Sequence, residues 1–223
     1  MTEKKELLIS KVFNILQGIS DTEIKEVINN LEEHYSQITK ENSNTLVYIS
    51  ENAFWGLLLS AIEVYKKECF GMLLGSYSIK EQRYNVEFAI PFQAAKRSFS
   101  WVTYSEAADK RVQEFLKNLP QLDVIGHFHS HAGGPFKLSK GDVDLIFGNQ
   151  IMILVDIEDK KYTSSWRYHK DGSLAGAVSN YYIRLGAFYV PYSNHKRKEK
   201  KAKIICPYGF GFQDHLKIYK DNF

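Results

Sequence analysis

The stretch Gly126-His-Phe-His-Ser-His-Ala-Gly-Gly-Pro-Phe-Lys-Leu-Ser-Lys-Gly-Asp142 carries the strongest pattern in the chain. It continues an apolar run that reads as the start of a β-strand. Because alternate side chains of a strand project to one face, His127, His129 and His131 are predicted to share a face, with neighbours roughly 7 Å apart. Two imidazoles at this spacing can converge on one metal ion, and Asp142 adds a carboxylate. Two histidines and an aspartate, with a fourth position left for water, are a ligand set suited to catalytic zinc.

A second interpretation of the histidines requires no metal. A buried histidine is usually satisfied by hydrogen bonds and binds nothing. Three of them on one strand face are harder to explain in this way, since each imidazole without a partner costs desolvation free energy. The triplet by itself leaves both interpretations open.

Composition indicates a folded protein without a strong charge bias. The 223 residues are 44% hydrophobic and 25% charged, which predicts one large domain or one domain with an appendage. The net charge of +3 does not favour nucleic-acid binding. The one concentrated basic run, residues 195–203, can contact an acidic partner or nucleic acid, but a solvated loop is the preferred interpretation.

Cysteine usage and the N-terminus predict a cytoplasmic protein. Cys69 and Cys206 lie far apart in apolar surroundings, which is typical of buried free thiols in a reducing compartment and not of a disulfide framework. The N-terminus shows no signal-peptide pattern, and no run of 18 apolar residues predicts a membrane span.

Periodicity divides the chain into three parts. Residues 1–42 are predicted to form a helical extension that packs on the body, self-associates or docks a partner. Residues 43–180 form the main domain, and residues 181–223 form an aromatic, strand-rich extension packed on it. The main domain is predicted to contain, in order, strand 45–50, helix 51–66, strands 68–77 and 83–92, helix 104–119, strand 122–130, helix 139–147, and strands 150–157, 162–168 and 174–178. This mixture predicts an α/β domain built on one curved sheet, in which Gly71 and Gly75 permit close backbone approach.

Two motifs resemble those of a known family. His129-Ser130-His131 is followed by ten residues and then Asp142, with Ser139 three positions before it. Upstream, Glu68-Cys-Phe-Gly-Met-Leu-Leu-Gly75 matches the pattern Glu-x-x-Gly-x-Leu-x-Gly. In this order the motifs resemble the JAMM family, the metalloprotease branch of the MPN domains, over about residues 45–170. The chain departs from the family pattern at Ala132, where proline is common.

The resemblance implies a fold and a set of roles. The fold is the MPN fold, which is cytidine-deaminase-like and has a curved, mostly antiparallel mixed sheet flanked by helices. His129, His131 and Asp142 are implied as ligands of one Zn²⁺ ion, which leaves His127 beside the site. Glu68 is implied as general base and later acid. Ser139 has two candidate roles, helix N-cap and oxyanion donor, and the resemblance favours the second.

The resemblance also implies a substrate class. JAMM enzymes cut an amide or isopeptide bond after the C-terminus of ubiquitin or a ubiquitin-like protein, so a ubiquitin-like conjugate or precursor is the expected partner. Cognate activating and conjugating enzymes, as in antiphage operons, are further expected partners, because the chain resembles stand-alone prokaryotic members. Two alternatives are a non-catalytic MPN scaffold and a JAMM peptidase for another small conjugate. The candidate walls of a substrate groove are Phe99, Trp101, Gly133, Gly134 and Phe136.

Overall fold

The computed structural model describes residues 45–78, 80–93, 105–118, 122–131, 135–160, 164–191 and 197–208, together with the backbone of 96–97 and 102–103. Contacts divide the chain into units 1–41 and 42–223, and all of the described residues belong to the second unit. The predicted N-terminal helices lie outside the described residues.

Helix α1 (Glu51–Glu63) begins where the sequence predicts a helix. Ser50 is its N-cap, and the Ser50 hydroxyl accepts a hydrogen bond from the backbone N–H of Ala53 at 3.1 Å. Its apolar residues recur at helical spacing and bury one face against the sheet; they include Phe54, Leu57, Leu58 and Ala61. The helix ends three residues earlier than predicted, and Lys66 beyond it has a left-handed φ of 74°. Helices α2 (Glu106–Leu116) and α3 (Lys140–Asp144) follow, both shorter than predicted.

Strands make up most of the described fold. They are β1 (Leu46–Ile49), β2 (Phe70–Ser78), β3 (Arg83–Pro91), β4 (Lys96–Arg97), β5 (Val102–Thr103), β6 (Asp123–His131), β7 (Ile151–Asp159), β8 (Arg167–Tyr168), β9 (Leu174–Val178), β10 (Tyr181–Tyr189) and β11 (Lys200–Ile205). The main sheet has the order β11-β1-β3-β2-β6-β7-β10-β9-β8, and β4 pairs with β5 separately. Most neighbours are antiparallel, while β6–β7, β1–β3 and β1–β11 are parallel. The predicted α/β class with a mixed, mostly antiparallel sheet is confirmed.

Strand β11 pairs with two strands that are far apart in the order of the sheet. Its first half pairs with β10, with Ala202 opposite Ala187, and its second half pairs with β1, with Ile204 opposite Val47. The strands from β1 to β10 are therefore closed into a ring through β11, while β9 and β8 continue the sheet beyond β10. Both β10 and β11, which the sequence analysis assigned to a C-terminal extension, are hydrogen-bonded strands of this sheet.

Close backbone approach at Gly71 explains how the central strands pack. A Cβ atom at Gly71 would lie 2.4 Å from the carbonyl oxygen of Ile90 and 2.4 Å from the Phe128 ring. At Gly75 a Cβ atom would lie 1.9 Å from the carbonyl oxygen of Asn85. Neither contact is possible for a residue with a side chain, so the predicted role of both glycines is confirmed.

The two faces of the sheet bury different apolar clusters. The larger cluster lies against α1 and includes Phe54, Phe128 and Ile153. The smaller lies on the opposite face, where Phe70, Met152, Leu154 and Phe188 meet Leu138, Val143 and Ile146 from around α3. Because side chains alternate along β6, His129 points to the face of the smaller cluster, beside α3. None of the helices in the described part of the chain is long and apolar enough to cross a membrane.

Candidate metal centre

The predicted histidine strand and the short helix after it bring three side chains together. His129 and His131 lie at the end of β6, and Asp142 lies in the first turn of α3. One ligand atom from each of these residues lies within 4.8 Å of the other two. His129 is 3% exposed, whereas His131 and Asp142 are only half-buried. The group is therefore closed to solvent at His129 and accessible to solvent at His131 and Asp142.

The distances within this group fit a tetrahedral ion. The Nε2 atoms of His129 and His131 are 3.2 Å apart, and His129 Nε2 lies 3.6 Å from Asp142 Oδ2. Zinc bonds of 2.0–2.1 Å place neighbouring ligand atoms of a tetrahedron about 3.3 Å apart. The three donor atoms could therefore hold a metal ion and leave one position of the tetrahedron open.

The charge state of His129 also suits a ligand. Burial lowers the pKa of His129, an effect that His131 reinforces and the Asp142 carboxylate opposes. Burial prevails, so the ring is neutral at pH 7 and Nε2 can offer a lone pair. The buried Nδ1 atom of His129 has no hydrogen-bond partner among the described residues. A metal ion on Nε2 would not satisfy Nδ1, so the fit of His129 to a metal depends on the donor distances and on the neutral ring.

Both ends of α3 are fixed by hydrogen bonds, which positions Asp142. The Ser139 hydroxyl accepts the N–H of Asp142 at 3.2 Å, and the Asp142 carboxylate accepts the N–H of Ser139 at 2.6 Å, forming a capping box. At the other end Arg197, from the basic run, donates to the carbonyl oxygens of Val143 and Ile146. This part of the basic run is therefore attached to the helix that carries Asp142.

The two candidate roles of Ser139 do not compete. In the capping box the Ser139 hydroxyl acts as an acceptor. A hydroxyl group can accept with a lone pair and donate its proton at the same time. Its O–H thus stays available as a donor. Ser139 also lines a cleft of about 420 Å³, but Glu68, His129, His131 and Asp142 are not among the lining residues of that cleft.

Glu68 lies just before β2 and beside Asp142. Burial raises the pKa of Glu68 to about 7, and the nearby carboxylate of Asp142 acts in the same direction. A carboxyl group that titrates near neutral pH can both take and give a proton there. Its backbone position is set by Ser130, whose hydroxyl accepts the N–H of Cys69 at 2.9 Å.

The remaining predicted residues have different positions. The His127 ring stacks on Phe70 with a centroid distance of 5.4 Å, outside the convergent group, in agreement with its predicted place beside the site. Phe136 packs against the sheet at Gly186. Phe99, Trp101, Gly133 and Gly134 lie outside the described residues, and their role in a substrate groove stays a prediction.

Two charged residues near the centre were missed in the sequence analysis. Asp156 on β7 pairs with His131 in register, and Arg184 on β10 pairs with Asp156. Burial and the neighbouring Glu158 raise the pKa of Asp156 to about 6, against the opposing effect of His131 and Arg184. The available signal was an aspartate inside the apolar run Ile151–Ile157, which is unusual in a buried strand.

Comparison with known proteins identifies the family of the chain. The family model described as JAB1/Mov34/MPN/PAD-1 ubiquitin protease matches residues 25–153, which is more than half of the chain. The match includes Glu68 and all three members of the convergent group. The chain belongs to this JAB/MPN family, in which some domains are metalloproteases and others are non-catalytic.

A solved structure shows the same fold at low sequence identity. The solution structure of protein DSY2949 from Desulfitobacterium hafniense is similar with a TM-score of 0.50 and 15% identity, over 72% of this chain and 92% of that one. At this identity the likeness concerns the fold alone. No curated protein sequence matches the chain significantly.

Proposed function

We propose that this protein is a zinc-dependent peptidase that cuts the bond after the C-terminus of a ubiquitin-like protein, in a conjugate or a precursor. The observation that carries the proposal is the position of Glu68 beside the convergent group of His129, His131 and Asp142. The pKa of Glu68 is raised to about 7. A scaffold domain needs neither a proton-transfer group nor a set of metal ligands. The joint presence of both favours hydrolysis.

In this proposal His129, His131 and Asp142 hold one Zn²⁺ ion. When bound, zinc supplies a Lewis acid and lowers the pKa of water in its open position toward about 7. Glu68 takes a proton from the attacking water and later delivers it to the leaving amine. The Ser139 hydroxyl donates a hydrogen bond to the oxygen that becomes negative when the carbonyl carbon becomes tetrahedral.

The proposed substrate class is supported by the family and by the shape of the C-terminal tails of ubiquitin-like proteins. A flexible C-terminal tail reaches a narrow site in an extended form and binds well along a strand edge. Cognate activating and conjugating enzymes are proposed partners, and an antiphage modification system is a proposed context.

The test combines metal analysis with cleavage. The purified protein is incubated with ubiquitin-like fusions and precursors, and the cut site is read by mass spectrometry. We expect stoichiometric zinc and one cut after the terminal residue of the ubiquitin-like part. Glu68→Gln should keep zinc and lose roughly 10²- to 10⁴-fold in turnover, whereas His131→Ala should lose zinc.

Glu63→Gln is the matched control, since it changes an exposed carboxylate at the end of α1 and should leave turnover unchanged. Cleavage by Glu68→Gln at the wild-type rate would refute the mechanism. A wild-type protein that binds no zinc and cuts no substrate would favour the scaffold interpretation.

A further inference from the structure

One ring nitrogen of His131 contacts the backbone of Pro135, four positions further along the chain. The Nδ1 atom of His131 lies 3.2 Å from the carbonyl oxygen of Pro135. A carbonyl oxygen only accepts, so in this contact Nδ1 carries the hydrogen and Nε2 keeps its lone pair. That lone pair faces the side where Nε2 of His129 lies 3.2 Å away. The Pro135 carbonyl therefore sets which nitrogen of His131 is free to bind a metal.

The residue that follows Pro135 is anchored on the sheet. The Phe136 ring lies directly over Gly186 of β10, where a Cβ atom would come within 2.6 Å of the ring. The guanidinium carbon of Arg184 is 4.1 Å from the ring centroid, the shortest cation–π distance in the described part of the chain. The Phe136 ring is thus in contact both with β10 at Gly186, which has no side chain, and with the Arg184 guanidinium.

Arg184 is itself fixed by hydrogen bonds to the turn that precedes β9. It donates to Asp171 Oδ2 at 2.8 Å and to the Ser173 hydroxyl at 3.1 Å. Lys201 Nζ of β11 binds the same Asp171 oxygen at 2.5 Å and lies 5.8 Å from the Phe136 centroid. A guanidinium with two of its nitrogens hydrogen-bonded has little freedom to turn, so it presents a fixed plane to the ring.

We propose that Phe136 is a positioning residue of the metal centre, which holds the Pro135 carbonyl against His131 and thereby fixes the tautomer and orientation of that ring. The inference rests on the proposed function, because that function provides the metal ion that Nε2 of His131 would bind. It assigns Phe136 to support of the site, in place of the substrate contact that the sequence indicated. Arg184 and Gly186 act through Phe136 and touch neither metal nor substrate.

Packing alone would explain Phe136 differently. A side chain that only fills space between the loop and Gly186 would change the stability of the protein when shortened and would leave the affinity for metal unaltered. The proposed role makes metal affinity and the His131 tautomer depend on the ring. These two quantities therefore separate the explanations.

The first measurement is the dissociation constant for Zn²⁺ of the metal-stripped full-length protein, obtained by competition with a chromophoric chelator. We expect Phe136→Ala to weaken zinc binding roughly 10- to 100-fold, the range typical for partners that orient a ligating histidine. Gly186→Ala should weaken binding similarly, because its methyl group displaces the ring without altering it. Phe136→Leu, which keeps an apolar anchor but no π face for Arg184, should fall between. Phe115→Ala, at an exposed phenylalanine of α2, is the control and should bind zinc as the wild type does.

The second measurement is independent of metal. Histidine ring ¹H–¹⁵N spectra of the metal-free protein should show His131 as the Nδ1–H tautomer in the wild type and as a mixture in Phe136→Ala. Zinc affinity of folded Phe136→Leu and Gly186→Ala equal to that of the wild type would overturn the proposal, as would an Nε2–H tautomer of His131 in the wild type. If the wild type binds no zinc, the proposed function fails, and the tautomer spectra alone decide the role of Phe136.

Discussion

The Ser130 hydroxyl accepts the backbone N–H of Cys69 at 2.9 Å, and the N–H of Ser130 donates to the Cys69 carbonyl at 3.1 Å. These two bonds join the residue after Glu68 to the residue between His129 and His131. The hydroxyl of one fully buried serine therefore acts together with the pairing of β2 and β6 to fix Glu68 relative to the metal ligands.

Replacement of Ser130 should lower the stability of the protein without changing its zinc content. In Ser130→Ala the buried N–H of Cys69 loses its acceptor, which costs roughly 1–3 kcal/mol of unfolding free energy. We expect lower turnover with unchanged zinc content, because Glu68 moves relative to the ligands. Urea unfolding, metal analysis and cleavage kinetics measure the three quantities.

Two variants control this experiment. Ser130→Thr keeps the hydroxyl acceptor and should retain much of the turnover. Ser60→Ala removes another buried hydroxyl, which donates to the Gly56 carbonyl within α1, and should leave turnover unchanged. Wild-type kinetics in Ser130→Ala would show that the Ser130 bond does not set the position of Glu68.

The carboxyl group of Glu68 should titrate near neutral pH in the metal-free protein. Burial raises its pKa from the ordinary 4.5 to about 7, with a smaller contribution from Asp142. The ¹³C carboxyl resonance should therefore have a midpoint well above that of an exposed glutamate. Asp142→Asn removes the repelling charge and should lower the midpoint.

Zinc should act on Glu68 in the same direction as Asp142→Asn, because a cation stabilises the carboxylate. The midpoint should thus fall when zinc is added, and kcat/KM should rise with pH through the midpoint of the loaded protein, since the base must be ionised. A Glu68 midpoint at the ordinary value of 4.5 without metal would contradict the prediction.

Ser139 is expected to affect catalysis more than stability. Ser139→Gly removes the hydroxyl at a helix N-cap position where glycine costs only a few tenths of a kcal/mol. Turnover should nevertheless fall about 10²- to 10³-fold, as for loss of one oxyanion donor. Ser139→Thr keeps both functions of the hydroxyl and should rescue turnover. Wild-type turnover in Ser139→Gly would rule out the oxyanion role.

Asp171 should make stability depend on pH in the acid range. Although burial by itself raises the pKa of Asp171, hydrogen bonds from Lys201 and Ser173 hold it well below its usual range. A lowered folded-state pKa means that the stabilisation is complete above the unfolded value of about 3.9 and is lost as the pH falls below it. Because these side chains are partly exposed, we expect Asp171→Asn to cost only about 1 kcal/mol at pH 7.

Urea unfolding of the metal-free protein at pH 7 and pH 3 measures this effect. The difference in unfolding free energy between wild type and Asp171→Asn should be smaller at pH 3 than at pH 7, because protonation of the Asp171 carboxylate begins to remove its stabilising effect. Asp123→Asn, at an exposed position of β6, should show no comparable pH-dependent difference. A difference that grows toward pH 3 would have the wrong sign and would contradict the assignment.

Local patterns accounted for much of the fold. The alternation of β6, the Ser50 cap of α1 and the apolar run of β7 each follow from neighbouring residues, and each element lies where it was expected. The ends of α1 and α3 were less accurate, because the last turn of a helix depends on tertiary contacts as well as on propensity. The single curved sheet was anticipated, but its closure through β11 was not.

By itself the sequence placed His127, His129 and His131 on one face of a strand, since alternation acts within a few residues. The resemblance of the two motifs to the JAMM family then singled out His129, His131 and Asp142, the three residues whose ligand atoms converge. Only the tertiary structure decided what surrounds them. Strand pairing places Asp156 beside His131 and Arg184 beside Asp156, and Arg184 in turn contacts the Phe136 ring. These segments are far apart in the chain, and such contacts leave no periodic signal in the sequence.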